Sequence, residues 1–170
     1  MIIVSSRQDF TDSDKLLSDG HLIREIDLSN DNSKRTISVD DLVSEISKKH
    51  ICILVHGYNN EFFEVCDAYE IIESKINNNL KGIYDEVIGY TWPGGDHKLE
   101  WWDAKSRANA VARRFRQLLE TLSEKATIDI ISHSLGARVS LKALKESSKK
   151  NNQKLLLHGR SCGQRSIRVR

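Results

Sequence analysis

One segment constrains the fold of this chain more than any other. Residues 128–139 read IDIISHSLGARV, an apolar run that stops at Ser134 and restarts as a helix. Small residues at positions 136 and 137 would let a strand and a helix approach each other across a very tight turn. The segment matches the motif G-x-S-x-G except at its first position, which Ser132 occupies. It predicts a nucleophile elbow at Ser134, and the alternative is an ordinary strand followed by a serine helix cap.

A second apolar run, residues 51–55, ends in the loop His56-Gly57-Tyr58-Asn59-Asn60. Its continuous apolar character is typical of a strand that is buried on both faces of a parallel sheet. In acyl transfer, backbone N–H groups must stabilise the negative charge that develops on the carbonyl oxygen. We expect the N–H groups of Tyr58 and Leu135 to form this oxyanion hole. Gly57 leaves room for the main chain to turn, and His56 is predicted to brace the loop.

Composition predicts one globular domain over residues 1–170. The chain is 39% hydrophobic and 29% charged, and none of its apolar runs approaches the roughly 18 residues of a membrane span. The first residues lack the pattern of a signal peptide, so we expect a cytoplasmic protein. Three cysteines at unrelated spacings argue against a disulfide framework or a metal cluster. Cys52 and Cys66 are interpreted as small buried hydrophobes, and neither a metal nor a cofactor is expected.

The remaining segments alternate between strand and helix patterns. Two extended pieces, residues 1–6 and 21–28, flank a polar loop, and a capping-box pattern begins a helix at Ser38. Apolar residues then recur three or four apart between positions 62 and 80 and again between positions 101 and 122, which predicts two longer amphipathic helices. The strand between these two helices ends at Trp92-Pro93-Gly94-Gly95.

This alternation predicts the α/β class, with three α/β/α layers and a mostly parallel sheet joined by right-handed crossovers. Active groups of such sheets lie beyond the carboxyl ends of the strands. His56, Trp92 and Ser134 all follow strand ends, so we expect them at one rim. The second amphipathic helix carries basic residues on its other face: Lys105, Arg107, Arg113, Arg114 and Arg116. We interpret this face as a solvated surface, and a nucleic-acid site is the alternative.

With these motifs, the chain resembles the α/β-hydrolase superfamily, and within it the uncharacterised α/β hydrolases catalogued as a domain of unknown function. The resemblance rests on VHGYNN, TWPG and SHSLG, in that order, and covers about residues 51–144. It implies a serine hydrolase that acts on an ester, thioester or amide of a small molecule, with Ser134 as nucleophile and the Tyr58 and Leu135 N–H groups as oxyanion hole. The implied substrate pocket is lined by His56, Gly57, Trp92 and His133.

The C-terminal part departs from the superfamily pattern. There the chain order is serine, acid, histidine, on successive later strands, whereas the residues after Ser134 leave room for one helix and one strand. His158 comes too early in the chain to be the triad histidine, and Asp129 is a poor candidate for the acid because it lies inside a strand. His133 is a poor candidate for the base because its side chain is expected to point away from Ser134 across the elbow. We therefore expect the fold to be incomplete at its C-terminus, with the acid and the base missing. The chain would then be nearly inactive, and its nucleophile strand would lie near a sheet edge.

Residues 155–170 are interpreted as a non-native tail. The segment lacks periodicity, and basic residues dominate from Lys145 onward, with Glu146 as the one acid. A shift of reading frame by one base permits a strand-like sequence that ends in an acid, so truncation or a frameshift is one hypothesis. The alternatives are a non-catalytic binding protein of the same fold and a nucleic-acid-binding protein with a basic tail. The sequence leaves the oligomeric state open.

The frameshift hypothesis makes a prediction about the gene. We expect an open frame that continues beyond the codon of Arg170 and encodes a histidine downstream. Sequencing the gene past this point checks the prediction, and a gene without such a frame would contradict it.

Overall fold

The structure is a computed structural model that describes residues 1–28, 32–95, 101–151, 155–159 and 164–169. Side chains are described as far as residue 145. The strands within these ranges are β1 Ile2–Ser5, β2 Leu22–Asp27, β3 Asn32–Thr36, β4 His50–Val55, β5 Glu86–Thr91, β6 Thr127–His133, β7 Leu155–Gly159 and β8 Gln164–Val169. The helices are α1 Val39–Glu45, α2 Phe62–Asn79, α3 Trp101–Ser123 and α4 Leu135–Asn151.

The strands form one sheet in the order β3-β2-β1-β5-β4-β6-β8-β7. Its four central strands, β1, β5, β4 and β6, are parallel, and the strands at either side pair antiparallel. Helices α1, α3 and α4 pack on one face and α2 packs on the other. The predicted three-layer α/β class is confirmed. No helix in the described part of the chain is both long enough and apolar enough to cross a membrane.

Beyond β6 the structure differs from the sequence prediction. We expected one strand after α4 and a nucleophile strand near the edge of the sheet. Instead, β8 pairs antiparallel with β6, and β7 pairs with β8. The backbone groups of β6 are therefore bonded on both sides, and His158 lies within β7. Cys162 lies outside the described residues.

Local sequence explains why most of these elements form where they do. Helix α1 begins with a capping box, in which the Ser38 side chain accepts from the Asp41 N–H and the Asp41 carboxylate accepts from the Ser38 N–H. Strand β3 was not predicted, because its residues, NSKRT, include no apolar position. It forms by pairing with β2.

The predicted solvated surface on α3 is wrong for two of its arginines. Arg107 bonds to the carbonyl of Asp14, and its Nη1 lies 3.3 Å from the carboxylate of the same residue. Arg114 donates to the carbonyls of Leu17 and Ser18. Both cations therefore hold the loop between β1 and β2 against α3, a contact that sequence periodicity does not reveal.

Tyr69 of α2 fixes the spacing of the two central strands β4 and β5. Its hydroxyl oxygen lies 3.0 Å from the N–H of His56, 2.9 Å from the carbonyl of Leu54 and 2.6 Å from the carbonyl of Tyr90. The ring fits because β5 has Gly89 beneath it: a Cβ there would lie 2.6 Å from Tyr69 Cε2. One buried hydroxyl thus joins both strands just before they reach the rim.

We expect Tyr69→Phe to lower the free energy of unfolding by about 2 kcal/mol, because it leaves buried backbone groups of β4 and β5 without their partner. Urea unfolding followed by circular dichroism measures this change. Phe63→Leu, which alters an exposed side chain of the same helix, serves as the control. A Tyr69→Phe protein as stable as the wild type would contradict the role of the hydroxyl.

Candidate functional site

The turn between β6 and α4 holds Ser134 in an unusual backbone conformation. Its φ is +50°, in the left-handed region that residues other than glycine rarely adopt. Such a conformation costs on the order of 1–3 kcal/mol and persists only where the surrounding structure enforces it. The Ser134 side chain is exposed, whereas Leu135, the first residue of α4, is buried. The turn therefore holds a serine hydroxyl out from the sheet at the start of a helix.

Gly136 explains how the turn can be so tight. A Cβ at this position would stand 2.1 Å from the carbonyl oxygen of His56 and 2.8 Å from that of Val55. Real Cβ atoms do not approach backbone that closely, so the first turn of α4 rests directly on the end of β4. Glycine is thus required at the second position after Ser134 by contact with the backbone of β4.

Ser132 occupies the position where the motif has its first glycine. Its hydroxyl is buried and lies 2.6 Å from the hydroxyl of Ser140 on α4. Two small polar side chains therefore satisfy each other between strand and helix. This pair explains how the elbow accommodates a serine, and the sequence alone did not indicate it.

Gly57 lies against the elbow. A Cβ on Gly57 would stand 3.0 Å from the Cβ of Ser134 and 2.9 Å from Nδ1 of His133. The exposed imidazole of His133 therefore lies beside Gly57, and its direction away from Ser134 across the elbow stays a prediction. The loop after β4 and the elbow after β6 are thus in contact, and Tyr58 follows directly in the chain.

His56 holds this loop to the neighbouring strand. Its Nδ1 lies 2.8 Å from the carbonyl of Gly57, and its Nε2 accepts the N–H of Trp92 at 3.0 Å. Since a backbone N–H only donates, Nε2 carries no proton and Nδ1 donates to Gly57. Burial lowers the pKa of His56 well below its usual value, and the charge of Arg7 lowers it further. The imidazole is therefore a neutral brace with both nitrogens engaged.

Trp92 completes this brace from the end of β5. Its ring stacks on His56 with 5.6 Å between centroids, and its Nε1 donates to the carbonyl of His56 at 3.0 Å. The family resemblance implies a substrate pocket lined by His56 and Trp92. The indole is instead fully buried and the imidazole 5% exposed. Both side chains are packed in the core and contact the loop from its buried side.

The carboxylate of Asp129 contacts the imidazole of His50 away from Ser134. Asp129 is buried, accepts from the Tyr84 hydroxyl at 2.9 Å and lies 3.3 Å from Nε2 of His50, which begins β4. This contact is at the opposite end of β4 from Gly57.

Among the side chains that the structure describes, no group of three or more His, Cys, Asp or Glu could hold a metal ion. A cavity of about 280 Å³ opens beside the first turn of α2, lined in part by Phe10 and Phe62.

The central parallel sheet, the sharp turn from β6 into α4 and the glycine loop beside it are features of an α/β-hydrolase fold. The comparison with protein families agrees with them. The chain belongs to the family described as alpha/beta hydrolase of unknown function (DUF900), whose model matches residues 30–161. No curated protein and no solved structure matches the chain.

We expect Gly136→Ala to lower the free energy of unfolding by at least about 2 kcal/mol, because the new methyl group would meet the fixed backbone of β4. Gly82→Ala is the control, since that glycine has nothing within 4 Å of its Cβ position and adds only the strain of its positive φ. Thermal unfolding of both variants measures the difference. Equal stability of the two variants would disprove the close contact between α4 and β4.

Proposed function

We propose that the protein acts as a serine hydrolase, with Ser134 as the nucleophile toward a small-molecule ester, thioester or amide. The observation that carries the proposal is the exposed Ser134 at φ +50°, held against Gly57. A strained residue is expected where function requires a particular side-chain direction. We also retain the cytoplasm as the expected compartment, on the sequence argument alone.

In the proposed reaction, Ser134 Oγ forms a bond to the substrate carbonyl carbon and gives up its proton to solvent water. The carbonyl oxygen becomes negative, and the N–H groups of Tyr58 and Leu135 are proposed to stabilise it. The N-terminus of α4 adds positive potential at the same place. The leaving group departs with a proton, and water then hydrolyses the acyl-serine to release the acid.

Two of the described histidines are candidates for the general base. Within the described side chains, the imidazole that contacts a carboxylate is His50, which lies far along β4 from the elbow. His133 is near Ser134, but no described hydrogen bond orients its imidazole. We therefore propose a slow enzyme, since a site without its full triad retains about 10³ to 10⁴ of rate enhancement over water. The same observation favours a second candidate, a non-catalytic protein that binds ligands at this rim.

A fluorophosphonate probe distinguishes the two candidates. We expect slow covalent labelling of the folded wild type, detected by intact mass, with the added mass on the peptide that contains Ser134. Ser134→Ala should abolish the labelling, because the attacking oxygen is gone. The matched control is Ser123→Ala, which removes an exposed serine at the end of α3 and should leave labelling unchanged.

Two results would overturn the hydrolase proposal. One is equal labelling of Ser134→Ala and the wild type, which would assign the reaction to another residue. The other is no labelling of a protein that circular dichroism shows to be folded, which would favour the binding protein.

A further inference from the structure

Arg7 lies just beyond β1 and is completely buried, with an exposed fraction of 0%. Its side chain bonds to two carbonyl groups from two different loops. Nε donates to the carbonyl of Trp92 at 3.2 Å, and Nη2 donates to the carbonyl of Asn60 at 3.0 Å. One guanidinium thus joins the end of the Gly57 loop to the turn after β5.

A buried cation is costly unless its hydrogen bonds compensate for the lost water. Burial lowers the pKa of Arg7 to about 10, and the negative charge of Asp12 offsets part of this effect. The side chain therefore remains charged at neutral pH. Its planar fork of donors suits two fixed acceptors, which a single ammonium group does not match as well.

The two loops that Arg7 joins also touch each other directly. The N–H of Asn59 donates to the carbonyl of Gly94 at 3.5 Å, and a Cβ on Gly94 would stand 3.0 Å from the carbonyl oxygen of Gly57. Asn59 itself has a φ of +58°. The long Asn59–Gly94 contact is weak by itself, so the bonds from Arg7 to Trp92 and Asn60 add a restraint to the one that His56 provides.

We propose that Arg7 is a positioning residue that holds the loop from Gly57 to Asn60 at a fixed distance from Ser134. This inference rests on the proposed function for its catalytic consequence, since the loop carries the proposed oxyanion N–H of Tyr58. Arg7 lies outside residues 30–161, the part of the chain that the family model matches. A residue beyond the matched segment thus holds two of the motifs within it.

Amide hydrogen exchange tests the restraint without any need for activity. We expect Arg7→Gln to speed exchange in residues 57–60 and 92–95 by about tenfold or more, the effect of losing a charge-assisted hydrogen bond. Arg7→Lys, which keeps the charge but not the fork, should fall between this variant and the wild type. The matched control is Arg114→Gln, since Arg114 also bonds to two loop carbonyls, those of Leu17 and Ser18. This control should leave exchange in residues 57–60 unchanged.

The probe reaction tests the link to catalysis. In Arg7→Lys we expect the labelling rate at saturating probe to fall about tenfold while the probe concentration for half-maximal rate stays the same, because a displaced oxyanion donor affects the chemical step. Arg114→Gln should label like the wild type. A purely structural role would lower the fraction of active protein and leave the rate of the remainder unchanged.

Each result decides the inference. Wild-type exchange in both Arg7 variants would overturn it, as would a Lys variant equal to the wild type or Arg7 variants that cannot fold at all. If the wild type takes up no probe, the hydrolase proposal fails, while the exchange data still decide whether Arg7 holds the loop.

Discussion

The geometry of the rim depends on a neutral imidazole. His56 donates through Nδ1 to its own loop and accepts through Nε2 from the backbone of Trp92, so it joins the ends of β4 and β5. A protonated ring could not accept that second bond, and burial disfavours the proton. The indole of Trp92 stacks on the imidazole and helps to fix its position. Because His56 is fixed, its carbonyl oxygen is also fixed, and α4 rests on that oxygen.

The elbow is built by close approach. Gly136 lets α4 sit on the carbonyl groups of β4, Gly57 lets the neighbouring loop touch the elbow, and Ser134 turns through a left-handed conformation between them. The strained backbone conformation of Ser134 persists because these contacts prevent the turn from relaxing to another conformation. The consequence is an exposed hydroxyl beside a glycine loop and a helix N-terminus, on which the proposed chemistry depends.

The parts of this arrangement differ in how far the sequence could predict them. Buried central strands and amphipathic helices leave periodic apolar patterns, so β4, β6 and α2 were predicted closely. Strand β3 has no apolar residue, and its pairing with β2 defines it. The pairing of β8 with β6 was missed because residues 164–169 lack a recognisable pattern. Arg107 and Arg114 were interpreted as surface residues because helical periodicity shows which face is polar but not what covers it.

The sequence by itself determined the fold class and the position of the elbow, because the spacing of apolar residues and the small residues around Ser134 follow from local geometry. Only the tertiary structure decided what supports the elbow. Three strands from distant parts of the chain end at the same rim. Because they meet there, the Trp92 side chain is buried in the core and the Arg7 side chain bonds to two different loops. Hydrogen bonds across such distances leave no periodic trace, so they become visible only after the sheet has formed.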